Sequence, residues 1–168
     1  MKDNIEIEKK FVIRMPDFNL LRTLPEYSES EIVQVYLQSP GGVTRRIRKR
    51  TFGNVSAYTK TEKIRIDGMS AVEREEEITP ARFNELMNEK RENSRPVIKR
   101  RITFSFGERL FEVDVYPEWE RSCIMEVELP SRDTVFEMPP FIELVRDVTG
   151  DGAYSNSAMS AMFPKELI

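Results

Sequence analysis

Acidic residues spaced two apart recur along this chain: Glu6/Glu8, Glu75/Glu77 and Glu126/Glu128, with a related pair at Glu112/Asp114. In extended backbone, residues i and i+2 point the same way, roughly 7 Å apart, so each pair sets two carboxylates on one strand face. Like charges at that spacing repel, and more strongly as water is excluded. Other alternating segments carry basic residues instead: Lys10, Arg46 with Arg48, Lys63, and Lys99 with Arg101. Arg suits two-pronged phosphate contacts and Lys acts as a point charge. If such faces turned inward, the enclosed charge would be costly unless cations and polyanions filled the space, and a triphosphate with a divalent cation supplies both. A solvated strand also alternates in this way, and periodicity alone does not say which face lies inside.

What the chain lacks narrows the chemistry. There is no histidine, which removes the Ser-His-Asp triad, HExxH zinc sites and histidine acid-base schemes. The single Cys123 rules out an intramolecular disulfide and a cysteine-cluster metal site. Any metal ligands must then be oxygens, which suits magnesium, manganese or calcium. The 26 basic and 29 acidic residues nearly cancel to a net charge of −3, so no general basic footprint points to nucleic acid. No leader-like or membrane-length apolar run occurs, and the expected location is cytoplasmic.

The elements that must position these residues are strands. Alternation marks segments from residue 5 and at 32–38, 43–50, 57–66, 72–78, 97–105, 110–116 and 123–129. Turn residues separate them: Ser39-Pro40-Gly41-Gly42, Phe52-Gly53-Asn54, Asp67-Gly68 and Phe106-Gly107-Glu108. Thr79-Pro80 reads as an N-cap with proline at the first helical position, and Phe83, Leu86 and Met87 follow at helical spacing. A short helix is expected after Pro130, ahead of the Pro139-Pro140 break, and a helical segment over 154–162. About eight strands with short antiparallel connections in 168 residues predict one mainly β (α+β) domain, a meander or closed barrel.

Glu6-Ile7-Glu8-Lys9-Lys10 resembles the ExExK signature of the CYTH superfamily, and further segments follow in the family's order. They are Tyr36-Leu37 before Arg46-Ile47-Arg48, Tyr58 to Lys63 resembling YxxTxK, Glu75-Glu76-Glu77, Lys99-Arg100-Arg101, Glu112-Val113-Asp114, Glu126-Val127-Glu128 and Tyr154-Ser155-Asn156. The resemblance spans residues 6 to about 160. It implies an eight-stranded antiparallel closed tunnel barrel with flanking helices and a charged lumen. It further implies magnesium or manganese on Glu6, Glu8, Glu126 and Glu128, with Glu75, Glu77 and Asp114 as further acidic wall. Lys10, Arg46, Arg48, Lys63, Lys99 and Arg101 would hold phosphate oxygens, and Glu6, Glu8 and Lys10 would serve catalysis.

The activity so implied is metal-dependent hydrolysis of inorganic triphosphate or a triphosphate ester. Adenylyl cyclase, thiamine triphosphatase and a non-catalytic polyphosphate- or metal-binding module are the alternatives. The expected partner is a triphosphate-bearing small molecule, with neither nucleic acid nor membrane, and a homodimer is an open assembly state. Arg45, Lys49, Arg50 and Lys60 read as solvent-facing, Glu73 and Glu112 as undecided, Trp119 as packing, and Met159 with Met162 as core. One stretch departs from the family pattern. Basic residues usually precede the C-terminal Tyr, whereas here the stretch reads Asp151-Gly152-Ala153-Tyr154.

Overall fold

The computed structural model describes residues 3–168. Eight strands follow in chain order: β1 (Asp3–Arg14), β2 (Ser28–Leu37), β3 (Thr44–Phe52), β4 (Val55–Arg65), β5 (Ser70–Glu77), β6 (Val97–Phe106), β7 (Arg109–Val115) and β8 (Ser122–Glu128). All pair antiparallel in the order β5-β4-β3-β2-β6-β7-β8-β1, and pairing of β5 with β1 closes the barrel. Closure depends on the length of β1. Its residues 3–7 pair with 70–74 of β5, and its residues 8–14 pair with 122–128 of β8. A ninth strand, β9 (Leu144–Asp147), adds to β1 beyond the end of β5.

Register carries one face of every strand inward together. Tyr36 of β2 lies opposite Arg46 of β3, which lies opposite Thr61 of β4, which lies opposite Glu75 of β5. On the other side Arg101 faces Asp114, Glu112 faces Glu126, and Glu126 faces Lys10. Because the side-chain period is two, these pairings commit the alternate residues to the outside. Outward Phe11, Ile13, Ile102, Phe104, Phe111, Val113, Met125 and Val127 are buried, with Leu21 and Ile142 in the same cluster. Burial of each large apolar side chain contributes roughly 1.5–3 kcal/mol, so the main core lies on the outer surface of the barrel.

Residues 130–143 contain no helix, contrary to the sequence expectation. Pro139 and Pro140 lack backbone donors, and the irregular chain lays Phe136, Met138, Phe141 and Ile142 on the outer core. Helix α1 (Phe18–Leu21) is capped by Asp17. Helix α2 (Pro80–Leu86) starts as expected, with the Thr79 side chain accepting from the Arg82 N–H. Its Leu86 and Phe83, with Met87, cover Val35, Leu37 and Ile47. Gly107 at φ 55° and Glu108 at φ 62° make the tight β6–β7 turn, where glycine adopts the left-handed conformation without strain.

An apolar stopper fills one end of the barrel. Val12, Tyr36, Val97 and Ile124, from four strands, and Tyr116, just after β7, pack with Trp119, Val148, Tyr154 and Met159. Helix α3 (Asn156–Met159) belongs to this closing segment and is capped by Ser155. Trp119 is packing, with its Nε1–H donating to the Pro164 carbonyl. Met162 is exposed, unlike the expected core partner of Met159. Among the described residues, no helix is long and apolar enough to cross a membrane.

Candidate functional site

The inward faces enclose a cavity of about 860 Å³, lined by Glu6, Glu8 and Lys10 of β1, Arg46, Arg48 and Arg50 of β3, and Thr61 and Lys63 of β4. Glu73 and Glu75 of β5, Arg101 of β6, Glu112 of β7, and Glu126 and Glu128 of β8 complete the charged wall. The closing segment contributes Thr149 to Gly152 and Ser155 to Ser157.

The acidic side holds more negative charge than its cations neutralise. Lys63 Nζ lies 3.0 Å from Glu6 and 3.9 Å from Glu73, and Lys10 Nζ lies 3.4 Å from Glu126. Burial, with the Glu126 and Glu6 carboxylates, pushes Glu8 up to about 10. Burial and Glu6 likewise push Glu73 up to about 7. Burial would also raise Glu126, but Lys10 outweighs it and holds that carboxyl down at about 2. Glu6 is held well below the ordinary carboxylate range: burial opposes this, while a hydrogen bond with Glu73 and the charge of Lys63 prevail. Glu6 Oε2 is buried and makes no hydrogen bond of good geometry, although it sits near Lys63. A carboxylate oxygen with one lysine beside it and further carboxylates around it fits an oxygen-seeking cation. No three acidic residues among the described ones already converge as an ion cage.

The basic side is crowded in the opposite sense. Arg46 Nε is buried without a partner. Burial, together with Arg46 and Arg101, lowers Arg48 to about 9. Guanidinium keeps its proton in proteins, so this strain is relieved by an anion and not by deprotonation. Arg101 is the exception: it donates from Nε and Nη2 to Asp114 at 2.8 and 2.9 Å, and its Nη1 lies 2.6 Å from Glu112.

Three residues expected at the site lie away from the cavity. Lys99 and Asp114 point inward but are fully buried and committed to each other, with Lys99 Nζ donating to Asp114 Oδ2 at 2.8 Å. They sit next to the apolar stopper, with Lys99 over the Tyr116 ring, and form the base under Arg101. Glu77, at the end of β5, is exposed and outside the cavity lining. Glu6, Glu8, Lys10, Arg46, Arg48, Lys63, Glu75, Arg101, Glu126 and Glu128 all line it. So does Arg50, which the sequence placed on the solvent side. Its parity matches Arg48, and its Nε–H donates to Ser30. Glu73, Glu112, Thr61 and Tyr36 join the lining without having been assigned to it.

A curated inorganic triphosphatase of Acetivibrio thermocellus is 34% identical over 154 residues, covering 90% of each chain. The chain belongs to the CYTH, or triphosphate tunnel, superfamily. No family profile matches it. The crystal structure of the inorganic triphosphatase NE1496 superposes on this CYTH chain with a TM-score of 0.60 at 28% identity, covering 95% of this chain and 97% of that one. PH1819 from Pyrococcus horikoshii OT3 shares the fold, with a TM-score of 0.59 at 22% identity over 76% of this chain and 80% of that one.

In this CYTH lumen, Arg48→Ala removes a guanidinium whose charge no carboxylate partner offsets. Charge-assisted contacts of this kind contribute about 1.5–3 kcal/mol. The variant should bind a non-hydrolysable triphosphate analogue roughly tenfold more weakly by calorimetry. Parent-like affinity would place Arg48 outside the binding wall.

Proposed function

We propose that this CYTH chain hydrolyses inorganic triphosphate, releasing its terminal phosphate, with magnesium or manganese as cofactor. The observation that carries the reading is the lumen itself: Arg48, held by the neutral Gln34 and no carboxylate, and Arg46, whose Nε has no hydrogen-bond partner, stand in the same cavity as crowded carboxylates. The inorganic triphosphatase relative, aligned over nine-tenths of both chains, supports the same substrate.

The chemistry follows from these residues. Arg46, Arg48 and Arg101 bind and orient phosphate oxygens and offset charge as it develops on the leaving diphosphate. Lys63 and Lys10, each beside a glutamate, help place the terminal phosphoryl group. Glu6, Glu8, Glu126 and Glu128 would hold the metal, consistent with their oxygen-only donor set. Magnesium commonly takes one or two carboxylates and completes its shell with substrate oxygens and water, so a preassembled cage is unnecessary. When bound, the ion polarises phosphate oxygens and lowers the pKa of water.

The deciding experiment measures phosphate release from tripolyphosphate, ATP and thiamine triphosphate with magnesium or manganese, while cyclic AMP is also followed. Fastest release from tripolyphosphate, lost with chelator, is expected. Preference for ATP with cyclic AMP formed would establish a cyclase, and binding without turnover would establish a silent polyphosphate module.

The closing segment offers a further test. Gly152 lines the lumen, has no atom within 4 Å of an added Cβ and does not hold a positive φ, so a side chain fits there. Gly152→Lys should bind tripolyphosphate more tightly at low salt, with the gain shrinking as salt screens it. Unchanged affinity at low salt in the folded variant would leave this segment a neutral end wall.

A further inference from the structure

Gln34 is completely buried on β2 and does not itself line the lumen. Its Oε1 accepts from both Nε and Nη2 of Arg48, at 3.1 and 2.9 Å, and its Nε2 donates to the Tyr36 hydroxyl at 2.9 Å. The orientation of this amide is dictated by its partners. Arg48 has only donors, so the amide oxygen must face it and the amide nitrogen must face Tyr36. The fork of Arg48 is thereby fixed from behind, and its Nη1 has no hydrogen-bond partner among the described residues. The Tyr36 hydroxyl accepts from Gln34, and no donation from it occurs among the described residues, so its proton is free for a lumen oxygen. Arg101 is held as firmly, but by the carboxylates of Asp114 and Glu112, which cancel its charge. Gln34 immobilises a guanidinium with a neutral acceptor and leaves the whole positive charge available.

Resting on the triphosphate reading above, we infer that Gln34 is a positioning residue that orients Arg48 and the Tyr36 hydroxyl toward the polyphosphate while keeping Arg48 un-neutralised. The neutrality of the amide is the essential property, not merely its hydrogen bonds.

Two near-isosteric variants separate charge from scaffolding. Gln34→Glu keeps the acceptor for Arg48 and gains a hydrogen bond from Tyr36, but adds a negative charge behind the guanidinium. Gln34→Met keeps neutrality and loses both hydrogen bonds. Each is titrated calorimetrically, with magnesium, against a tripolyphosphate analogue whose bridging oxygens are replaced by NH, and kcat/KM for tripolyphosphate is measured alongside. Gln34→Glu is expected to bind at least about tenfold more weakly than the parent and to be the worse of the two, with Gln34→Met losing only severalfold. A purely structural role predicts the reverse order, with Gln34→Glu near the parent, and that order would overturn the inference. Failure of Gln34→Glu to fold would overturn it too, because the inference requires Arg48 to satisfy the new carboxylate. A parent that does not bind the analogue refutes the triphosphate reading itself, whereas a binding parent with an equally tight Gln34→Glu refutes only the role of Gln34.

Discussion

Glu6→Gln and Glu126→Gln should each lower phosphate release from tripolyphosphate roughly 100-fold or more, with the barrel still folded. The amide keeps the shape of the carboxylate and removes its charge, so loss of activity reports on charge and not on packing. Folding should survive at both sites for local reasons. At position 6, Lys63 retains Glu73 at 3.9 Å. At position 126, Lys10 retains its hydrogen bond to the Tyr154 carbonyl at 3.2 Å. Each change also removes an ion pair that keeps the carboxyl ionised, Lys63 with Glu6 or Lys10 with Glu126, so the metal-free variants should be folded but somewhat less stable than the parent at neutral pH. They should lose more activity as magnesium is made limiting. Activity across a magnesium series and unfolding with chelator present check both halves. Parent-like turnover in either variant at limiting metal would remove that glutamate from the metal-binding wall.

The fold was legible because strand periodicity and turn chemistry agree along most of this chain. The eight alternating segments, Thr79-Pro80 at the start of α2 and the Gly107 turn all stand where the pattern places them. Residues 130–143 were not legible, because their apolar residues are spaced by what they cover on the outer core and not by any helical period. Direction was the harder question. Alternation leaves inside and outside open, and only the closed barrel makes the charged parity the lumen. Once that is settled, parity alone brings in Arg50, two residues after Arg48. Parity misleads at Glu77, where the strand ends and its side chain is exposed. It equally misses depth: Lys99 and Asp114 have inward parity but lie beneath the cavity, paired with each other. Gln34 gave no signal at all, since a lone buried amide matters here only through Arg48, to which it is joined across β2 and β3.

Asp114→Ala should be the most destabilising change in the barrel interior. Asp114 is 1% exposed and accepts from Lys99 Nζ at 2.8 Å and from two nitrogens of Arg101. Burial would raise its pKa, but Arg101 and Lys99 overcome this and hold it well below the usual carboxylate value. Burial pushes Lys99 down to about 7, and Asp114 opposes that push. Without Asp114, Lys99 must shed its proton or stand charged in an apolar setting beside Tyr116, and Arg101 keeps only Glu112. Breaking one side of a buried ion pair costs about 3–5 kcal/mol. For a domain of this size that lowers Tm by roughly 6–20 °C. The pH dependence has a defined sign. A carboxyl with a depressed folded pKa contributes stability fully above its unfolded value, about 3.9, and loses it as pH falls further. The stability gap between parent and Asp114→Ala should thus be widest near neutral pH and narrow below about pH 4. Adding Lys99→Met to Asp114→Ala should recover part of the loss, because the unpaired ammonium is then gone. Urea and thermal unfolding across pH measure all of this. An Asp114→Ala variant as stable as the parent at pH 7 would mean that the Lys99–Asp114–Arg101 cluster gives the barrel no net support.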